Sequence, residues 1–150
     1  MRLTIFTDYT LRILIYLGIH QYEDRLTTIS NIATAYGISE NHLMKIVHHL
    51  AKQGYVETTR GKGGGMRLAR APDKIRLGDV VRGAEGDFAI VQCFQKNNTA
   101  CPIRSACALA EIMGRAMSAF FDELDGHTLA DLLEPREKLI TAFRNNTAER

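Results

Sequence analysis

Two short amphipathic segments joined by a glycine turn restrict the possible folds of this 150-residue chain more than any other feature. The first segment, TISNIATAYG, begins at Thr28 with a residue type that caps helices and ends at Gly37 with one that terminates them. The second segment, SENHLMKIVHHLAKQG, runs in the same way from Ser39 to Gly54. Its apolar residues recur at the helical i, i+3, i+4 and i+7 positions, which are Leu43, Ile46, Val47 and Leu50. This pattern predicts a helix-turn-helix.

A β-hairpin is predicted directly after the second helix. Residues 55–58 and 66–69 alternate as short strands do, and GKGGG between them supplies the bend. A nucleotide-binding phosphate loop is the competing interpretation of GKGGG, but the required glycine-to-lysine spacing is missing and no helix pattern follows. We therefore expect a mainly α (α+β) fold with a winged helix-turn-helix DNA-binding domain and a long C-terminal dimerisation helix.

The remaining elements are predicted from caps and periodicity. Thr7 can cap a helix over residues 7–20, and a further helix is expected over residues 77–84. Pro102 suits the first turn of a long helix, and TLADLL suits a short one. The sequence thus divides into a winged-helix domain (1–84), a cysteine loop (85–107), a dimerisation helix with a short terminal helix (108–133), and a partly ordered tail (134–150).

The long helix carries an apolar stripe that allows two interpretations. The stripe comprises Leu109, Ile112, Met113, Ala116, Met117, Phe120, Phe121 and Leu124. It could pack on the core of its own chain or on its twin in a second subunit, as coiled-coil seams do. We favour a homodimer, because the winged domain is complete before this helix begins and leaves little surface to cover Phe120 and Phe121. Helix-turn-helix proteins also commonly bind two-fold DNA sites as dimers.

Charge and hydropathy limit the class of protein. Residues 1–76 carry 11 Lys and Arg against 6 Asp and Glu, whereas residues 77–150 carry 8 against 11. The positive first part suits a polyanion such as double-stranded DNA, although an ordinary solvated surface can carry the same charge.

A secretory signal is not visible, and no uncharged apolar run approaches the roughly 18 residues of a membrane span, so a cytoplasmic protein is expected.

The candidate DNA-binding residues lie at the start of the second helix and on the hairpin. A helix in the major groove offers hydrogen-bonding side chains near its N-terminal end, and narrow minor grooves attract arginine. Glycines let a backbone approach phosphates closely. The candidates are Thr28 on the first helix, Ser39, Glu40, Asn41, His42 and Lys45 on the second, and Arg60, Lys62, Gly63, Gly64 and Arg67, with Arg70, on the wing.

All three cysteines of the chain fall within 15 residues, at Cys93, Cys101 and Cys107. A structural zinc site usually contains a C-x2-C or C-x4-C pair, which is missing from this chain. A catalytic cysteine would need a base and an oxyanion hole. Neither is visible in the sequence, so an enzyme is not expected. Buried cysteines without a role are disfavoured because the segment is polar. An iron–sulfur cluster fits best, since thiolates are its usual ligands and it accepts one non-cysteine ligand.

Four stretches resemble one known family. FTDYTLRILIYL, ISENHLMKIVHHLAKQGYVETTRGKGGGMRLA, IRLGDVVR and TLADLL resemble the winged-helix iron–sulfur repressors that include IscR and NsrR, over roughly residues 1–133. The resemblance to the NsrR branch implies a homodimeric transcription repressor. In that branch nitric oxide nitrosylates the cluster, DNA is released, and genes for nitric-oxide detoxification are expressed.

The resemblance also implies roles for particular residues. Cys93, Cys101 and Cys107 would bind the cluster, with Asp8 of the partner subunit as the fourth ligand, and we expect a 4Fe–4S rather than a 2Fe–2S cluster. Asp8 could instead only complement the dipole of its helix. IscR-type relatives have a histidine soon after the third cysteine, whereas here Cys107 is followed by Ala108 and Leu109. A repressor of the same fold that senses iron, redox state or cluster supply, or a cluster-free thiol or zinc regulator, remains an alternative.

Overall fold

The computed structural model describes residues 2–95 and 101–148, and this part of the chain is mostly helical with one small antiparallel sheet. The mainly α winged-helix fold predicted from the sequence is confirmed. The elements in chain order are α1 (Ile5–Ile19), α2 (Ile29–Tyr36), α3 (Glu40–Lys52), β1 (Val56–Thr59), β2 (Gly65–Leu68), α4 (Leu77–Ala84), α5 (Ala108–Asp125), α6 (Leu129–Leu133) and α7 (Arg136–Ala148).

Helices α2 and α3 form the helix-turn-helix. Thr28 caps α2 in a reciprocal capping box, in which the Asn31 backbone N–H donates to Thr28 Oγ1 at 3.2 Å and the Thr28 backbone N–H donates to Asn31 Oδ1 at 2.8 Å. Gly37 ends α2 with a φ of 66°, a left-handed conformation that favours glycine. The predicted inner face of α3 is buried, and it consists of Leu43, Ile46, Val47 and Leu50. The sequence signals for this motif are therefore confirmed.

Strands β1 and β2 form the wing, one residue out of step with the predicted ranges. Val56 pairs with Leu68 and Thr59 with Gly65. The segment before α2 joins this pairing, because Thr27 and Met66 exchange two backbone hydrogen bonds of 3.1 and 2.7 Å. The wing is thereby fixed to the start of the helix-turn-helix.

Helix α1 begins earlier than predicted, and its cap is Thr4 rather than Thr7. Thr4 has an extended backbone, and its Oγ1 accepts a hydrogen bond from the Thr7 backbone N–H at 3.3 Å. The Thr7 side chain is fully buried and shares a 3.1 Å hydrogen bond with the Thr4 hydroxyl. Both threonines are cap candidates by type, but the buried position of Thr7 within the first turn excludes it from the helix end.

The hydrophobic core surrounds α1. This helix packs against α3, α4, α6 and β2, and it contributes Ile13, Leu14 and Leu17, each at most 1% exposed. Among the buried residues from the other elements are Leu43, Leu50, Val56, Met66, Val80 and Leu129. A single helix therefore connects α3, the wing and the elements that follow the wing.

Helix α6 belongs to this core. Leu129 is 1% exposed, and its backbone N–H donates to the Ile75 carbonyl at 2.8 Å, while Leu77 N–H donates to the His127 carbonyl at 3.0 Å. A Cβ at Gly18 of α1 would lie 2.5 Å from Leu133 Cδ1, so α1 and α6 approach closely where α1 lacks a side chain. Although the sequence groups α6 with the dimerisation helix, α6 packs on the winged domain.

Helix α5 starts at Ala108, the first residue of the segment assigned to the dimerisation helix, and Pro102 does not lie in its first turn. A 3-10 turn over Arg104–Ala106 and the extended backbone of Cys107 (φ −87°, ψ 98°) separate Pro102 from the helix. Pro102 fits a first helical turn by residue type, but it lies in a separate turn here. Although α5 is the longest helix described, neither it nor any other described helix is long and apolar enough to cross a membrane.

The apolar stripe of α5 is only partly covered by its own chain. No residue of α5 is buried, and Leu109 and Ile112 are 59% and 52% exposed. The other end is better covered than expected, because the Phe121 ring meets Phe88 edge-on with centroids 4.8 Å apart and lies 4.3 Å from the Arg82 guanidinium carbon. The exposed stripe is therefore concentrated near the cysteine end of the helix.

The segment predicted to be a partly ordered tail forms α7, so that expectation was wrong. The helix packs against α1 and α2, and its Phe143 ring meets the rings of Tyr16 and Tyr36 edge-on, with centroids 5.3 and 5.1 Å away. This helix is hard to predict from the sequence, because the segment EPREKLITAFRNNTAER is strongly polar and has few apolar residues.

The burial of α6 predicts the effect of Leu129→Ala on stability. Removing this side chain leaves a cavity against α1, and we expect the free energy of unfolding to fall by about 2–5 kcal/mol in urea denaturation. Met44→Ala is the control, because Met44 is 49% exposed on α3 and its truncation should cost about 0.5 kcal/mol or less. Equal effects of the two substitutions would show that α6 is not part of the cooperative core.

Candidate DNA-binding face and cysteine site

The outer face of α3 is exposed at its N-terminal end, the part of the helix that would contact DNA bases. Met44 is 49% exposed, and the polar candidates Ser39, Glu40, Asn41, His42 and Lys45 are all exposed. Ser39 occupies the N-cap position of α3, but its side chain makes no capping hydrogen bond. The inward and outward faces of α3 are thus separated as a helix lying in the major groove requires.

Thr28 has a structural role at the other end of the motif. Its hydroxyl donates to Asn31 Oδ1 at 2.7 Å and accepts from the Asn31 backbone N–H, so both functions of the hydroxyl serve the capping box of α2. A contact between this residue and a phosphate would therefore compete with the cap. The backbone N–H groups at the start of α2 offer a phosphate the alternative donors.

The tip of the wing combines exposed cations with a constrained backbone. Arg60 and Lys62 are exposed. Gly63 has a φ of 78°, and a Cβ at Gly64 would lie 2.4 Å from the Thr59 carbonyl oxygen, so both glycines are required by the turn itself. The glycines are therefore explained without DNA, whereas the two cations extend from a tip that the glycines shape.

Two further arginines of the predicted DNA surface have partners within the chain. Arg67 lies on β2 opposite Glu57, and its Nε and Nη2 both lie 3.2 Å from Glu57 Oε2. Arg70 is directed away from the tip, because its Nη2 donates to the Gln53 carbonyl at 3.0 Å and its guanidinium lies over the Tyr55 ring. The cationic tip proper consists of Arg60 and Lys62.

The three cysteines are free thiols with intermediate exposure. Cys93 lies in a 3-10 turn (Gln92–Phe94), Cys101 precedes the turn that contains Arg104, and Cys107 occupies the N-cap position of α5. Residues 96–100, which separate the first two cysteines, lie outside the described residues. Among the described residues, no group of three or more His, Cys, Asp or Glu side chains is arranged to hold a single metal ion. The chain by itself does not bring Asp8 and the cysteines together in that way.

Asp8 lies in the first turn of α1, with its Oδ2 2.9 Å from Arg12 Nη2. The Arg12 guanidinium carbon is 5.6 Å from the centroid of the Tyr36 ring, and the Tyr36 hydroxyl donates to the Arg12 carbonyl at 3.0 Å. Burial raises the pKa of Tyr36 above its ordinary value. Asp8 is therefore connected to the last residue of α2.

The sequence reasoning missed Arg12 and Tyr36. The i, i+4 spacing of Asp8 and Arg12 was a usable signal for their ion pair. No local pattern could have identified Tyr36, since it meets Arg12 across 24 residues of sequence.

The start of α1 is also fixed to the segment that leads into the cysteine loop. The Thr4 backbone N–H donates to Glu85 Oε1 at 2.6 Å. Beside this contact lies a mainly apolar cavity of about 520 Å³, whose lining includes Leu3, Phe88 and Phe120. The helix that carries Asp8, the segment before Cys93 and the middle of α5 thus meet in one region.

Comparison with known proteins identifies relatives along most of the chain. The family model of Rrf2, described as an iron-dependent transcriptional regulator, matches residues 3–135. The HTH-type transcriptional regulator NsrR of Bacillus subtilis is 45% identical over 144 residues, which cover 96% of this chain and 98% of that protein. The NsrR of Geobacillus kaustophilus is 46% identical over 139 residues, covering 93% and 94% respectively. These relatives are transcriptional regulators by name.

Solved structures agree with the same assignment. A transcriptional regulator from Listeria innocua aligns with a TM-score of 0.73 at 30% identity and covers 90% of this chain and 88% of its own. CymR, the global cysteine regulator of Bacillus subtilis, aligns with a TM-score of 0.71 at 30% identity, covering 88% and 95%. IscR from T. potens aligns with a TM-score of 0.70 at 26% identity, covering 89% and 87%. The chain belongs to the Rrf2 family of transcriptional regulators.

Proposed function

We propose that this chain forms a homodimeric DNA-binding repressor that responds to nitric oxide through an iron–sulfur cluster. The observation that carries the proposal is three free, partly buried thiols within 15 residues of sequence ahead of the exposed stripe of α5, in a chain that otherwise contains a complete winged helix. Its similarity to regulators named NsrR supports the choice of signal.

The donor set fits such a cluster. Cys93, Cys101 and Cys107 would supply three thiolates, and Asp8 of the partner subunit would supply a carboxylate as the fourth ligand of a 4Fe–4S cluster. Cys107 lies at the N-terminal end of α5, where backbone N–H groups favour negative charge. When bound, the cluster supplies iron that reacts with nitric oxide. The residues of the chain would hold it and transmit the change through their own contacts.

The dimer is supported by the surface of α5. Leu109 and Ile112 are large apolar side chains left more than half exposed by their own chain. Their exposure on one helical face is what a seam with a second copy of α5 would require. Such a dimer presents two copies of α3 to successive turns of an operator duplex.

A path from Asp8 to the DNA-binding face lies within one chain. Asp8 pairs with Arg12, and Arg12 lies against Tyr36 at the end of α2. When Asp8 changes partner, Arg12 loses or gains its ion pair, and the contact at the end of α2 changes with it. Because half-sites lie on a rigid duplex about one helical turn apart, a small displacement of α2 and α3 lowers operator affinity.

A repressor that senses iron supply rather than nitric oxide is the second candidate. The description of the matching family as an iron-dependent regulator favours it. The two candidates use the same fold and the same thiols, and they differ only in the signal that lowers DNA affinity.

The cluster proposal predicts a coloured protein. Prepared without oxygen, it should contain iron and acid-labile sulfide, absorb visible light, and lose both that absorption and at least about tenfold in operator affinity on addition of nitric oxide. Cys107→Ser should abolish the absorption. Bleaching by an iron chelator with indifference to nitric oxide would favour the iron-sensing candidate, and a colourless protein with stoichiometric zinc would contradict both.

Asp8→Ala tests the fourth ligand and the path to α2. We expect this variant to keep its secondary structure by circular dichroism but to lose the nitric-oxide-dependent change in operator affinity. Asp24→Ala, which removes an exposed carboxylate from the loop after α1, should respond as the wild type does. An unchanged response in Asp8→Ala would remove Asp8 from the mechanism.

The DNA-binding face predicts different consequences for a wing residue and a helix residue. Arg60→Ala should weaken binding to all duplexes and reduce the salt slope of the binding constant by about one, whereas Asn41→Ala should cost about 1–3 kcal/mol mainly on the preferred sequence. Fluorescence anisotropy over a salt series measures both. Lys138→Ala on the exposed side of α7 is the charge-matched control for Arg60 and should leave the slope unchanged.

The dimer seam predicts that Ile112→Asp yields monomers. A charge placed at a residue that is 52% exposed in the single chain costs little there, but it is strongly unfavourable inside an apolar seam. Sedimentation equilibrium should give half the wild-type mass. Ser118→Asp adds the same charge to an exposed position off the stripe and should remain dimeric, whereas a monomeric Ser118→Asp would mean that the stripe does not define the interface.

A further inference from the structure

We propose that α7 is an intramolecular clamp that positions α2 for DNA binding, with Phe143 and Asn146 as the positioning residues. This inference rests on the DNA-binding part of the proposed function and is independent of the nitric-oxide response. It concerns a helix for which neither the sequence pattern nor the names of the relatives suggest a role.

A hydrogen bond joins α7 to the carboxyl end of α2. Asn146 Nδ2 donates to the Ala35 carbonyl at 2.7 Å, across 111 residues of sequence. The last carbonyls of an α-helix have no partners within the helix, so a donor from another element satisfies one of them. Since this contact is partly buried, it holds the end of α2 more firmly than an exposed hydrogen bond would.

An aromatic group forms the second contact. The Phe143 ring meets Tyr36 at an interplanar angle of 89° and Tyr16 at 72°, and both arrangements are edge-to-face. Tyr36 comes from α2 and Tyr16 from α1, so one side chain of α7 touches both helices. The position of α2 relative to the core helix is thereby defined by a third element.

A third contact fixes the start of α7. Arg136 Nη2 donates to the Ile19 carbonyl at 2.8 Å, at the end of α1. With Arg136 held at α1 and Asn146 held at α2, α7 spans the two helices along its length. A helix attached at both ends can transmit a constraint, whereas one attached at a single end can swing.

Helix α2 needs such support because it is short. It has eight residues, of which only Ile32 and Ala35 are buried, and helices of this length have little stability of their own. The turn over Gly37 leads directly to Ser39 and the start of α3. A shift of α2 would therefore move the recognition helix and the N-terminal end of α2 that faces the DNA backbone.

The inference predicts that Asn146→Ala weakens DNA binding without changing charge. The probe is a duplex enriched from a random-sequence pool by the wild-type protein. If the unclamped α2 leaves only part of the population competent to bind, we expect the dissociation constant to rise about three- to tenfold, with an unchanged salt slope because the phosphate contacts are retained. Phe143→Leu should act in the same direction.

Asn145→Ala is the matched control. It removes the same side chain from the adjacent residue of α7, which is exposed, and it should bind DNA as the wild type does. Binding is measured well below the melting midpoint of each variant, so that a purely stabilising role of Asn146 would lower the midpoint but leave the dissociation constant unchanged.

Three outcomes would overturn the clamp: equal affinity of Asn146→Ala and the wild type, an equal loss in Asn145→Ala, or a loss accompanied by a smaller salt slope. The visible absorption of Asn146→Ala, prepared without oxygen, is recorded in the same experiment as the measure of its cluster content. Failure of the wild type to respond to nitric oxide would count against the proposed signal and leave the clamp intact. Failure of the wild type to enrich any duplex would overturn both.

Discussion

The packing of α1 at the centre of the molecule is the interaction on which the rest of the structure depends. Ile13, Leu14 and Leu17 are almost fully buried, and they meet elements from both before and after the wing. Burial of three such side chains contributes several kcal/mol, on the order of 1.5–3 kcal/mol each. Because α1 also carries Asp8 at its start and receives α7 at its end, the helix that organises the core lies between the candidate sensing and DNA-binding surfaces.

The parts of the fold that follow from local rules could be predicted from the sequence. The capping residue Thr28, the left-handed Gly37 and the apolar spacing from Leu43 to Leu50 define the helix-turn-helix without any distant contact. The parts that depend on tertiary contacts could not. Thr7 is a good cap by type but is buried, Pro102 lies in a separate turn, and Phe143 of α7 contacts Tyr16 and Tyr36, which are distant in sequence.

The candidate site shows the same division. Cysteine chemistry predicts cluster ligands from sequence alone, and the polar side chains predicted to contact DNA are exposed on α3. The contacts that could relate the two regions, from Asp8 through Arg12 to Tyr36, appear only when α1 and α2 are packed together. Residue type indicates which groups can react or bind, whereas packing determines which of them can influence one another.

The position of Cys107 at the N-cap of α5 limits how the length of the chain can vary here. The thiol sits at the N-cap, and the exposed side chains of Leu109 and Ile112 follow within the first two turns. Each residue inserted after the N-cap would rotate those side chains by about 100° around the helix axis. The angle around the helix axis between the Cys107 thiol and the apolar face is therefore set by the number of residues between them. Insertions and deletions in this region should be confined to positions before Cys107.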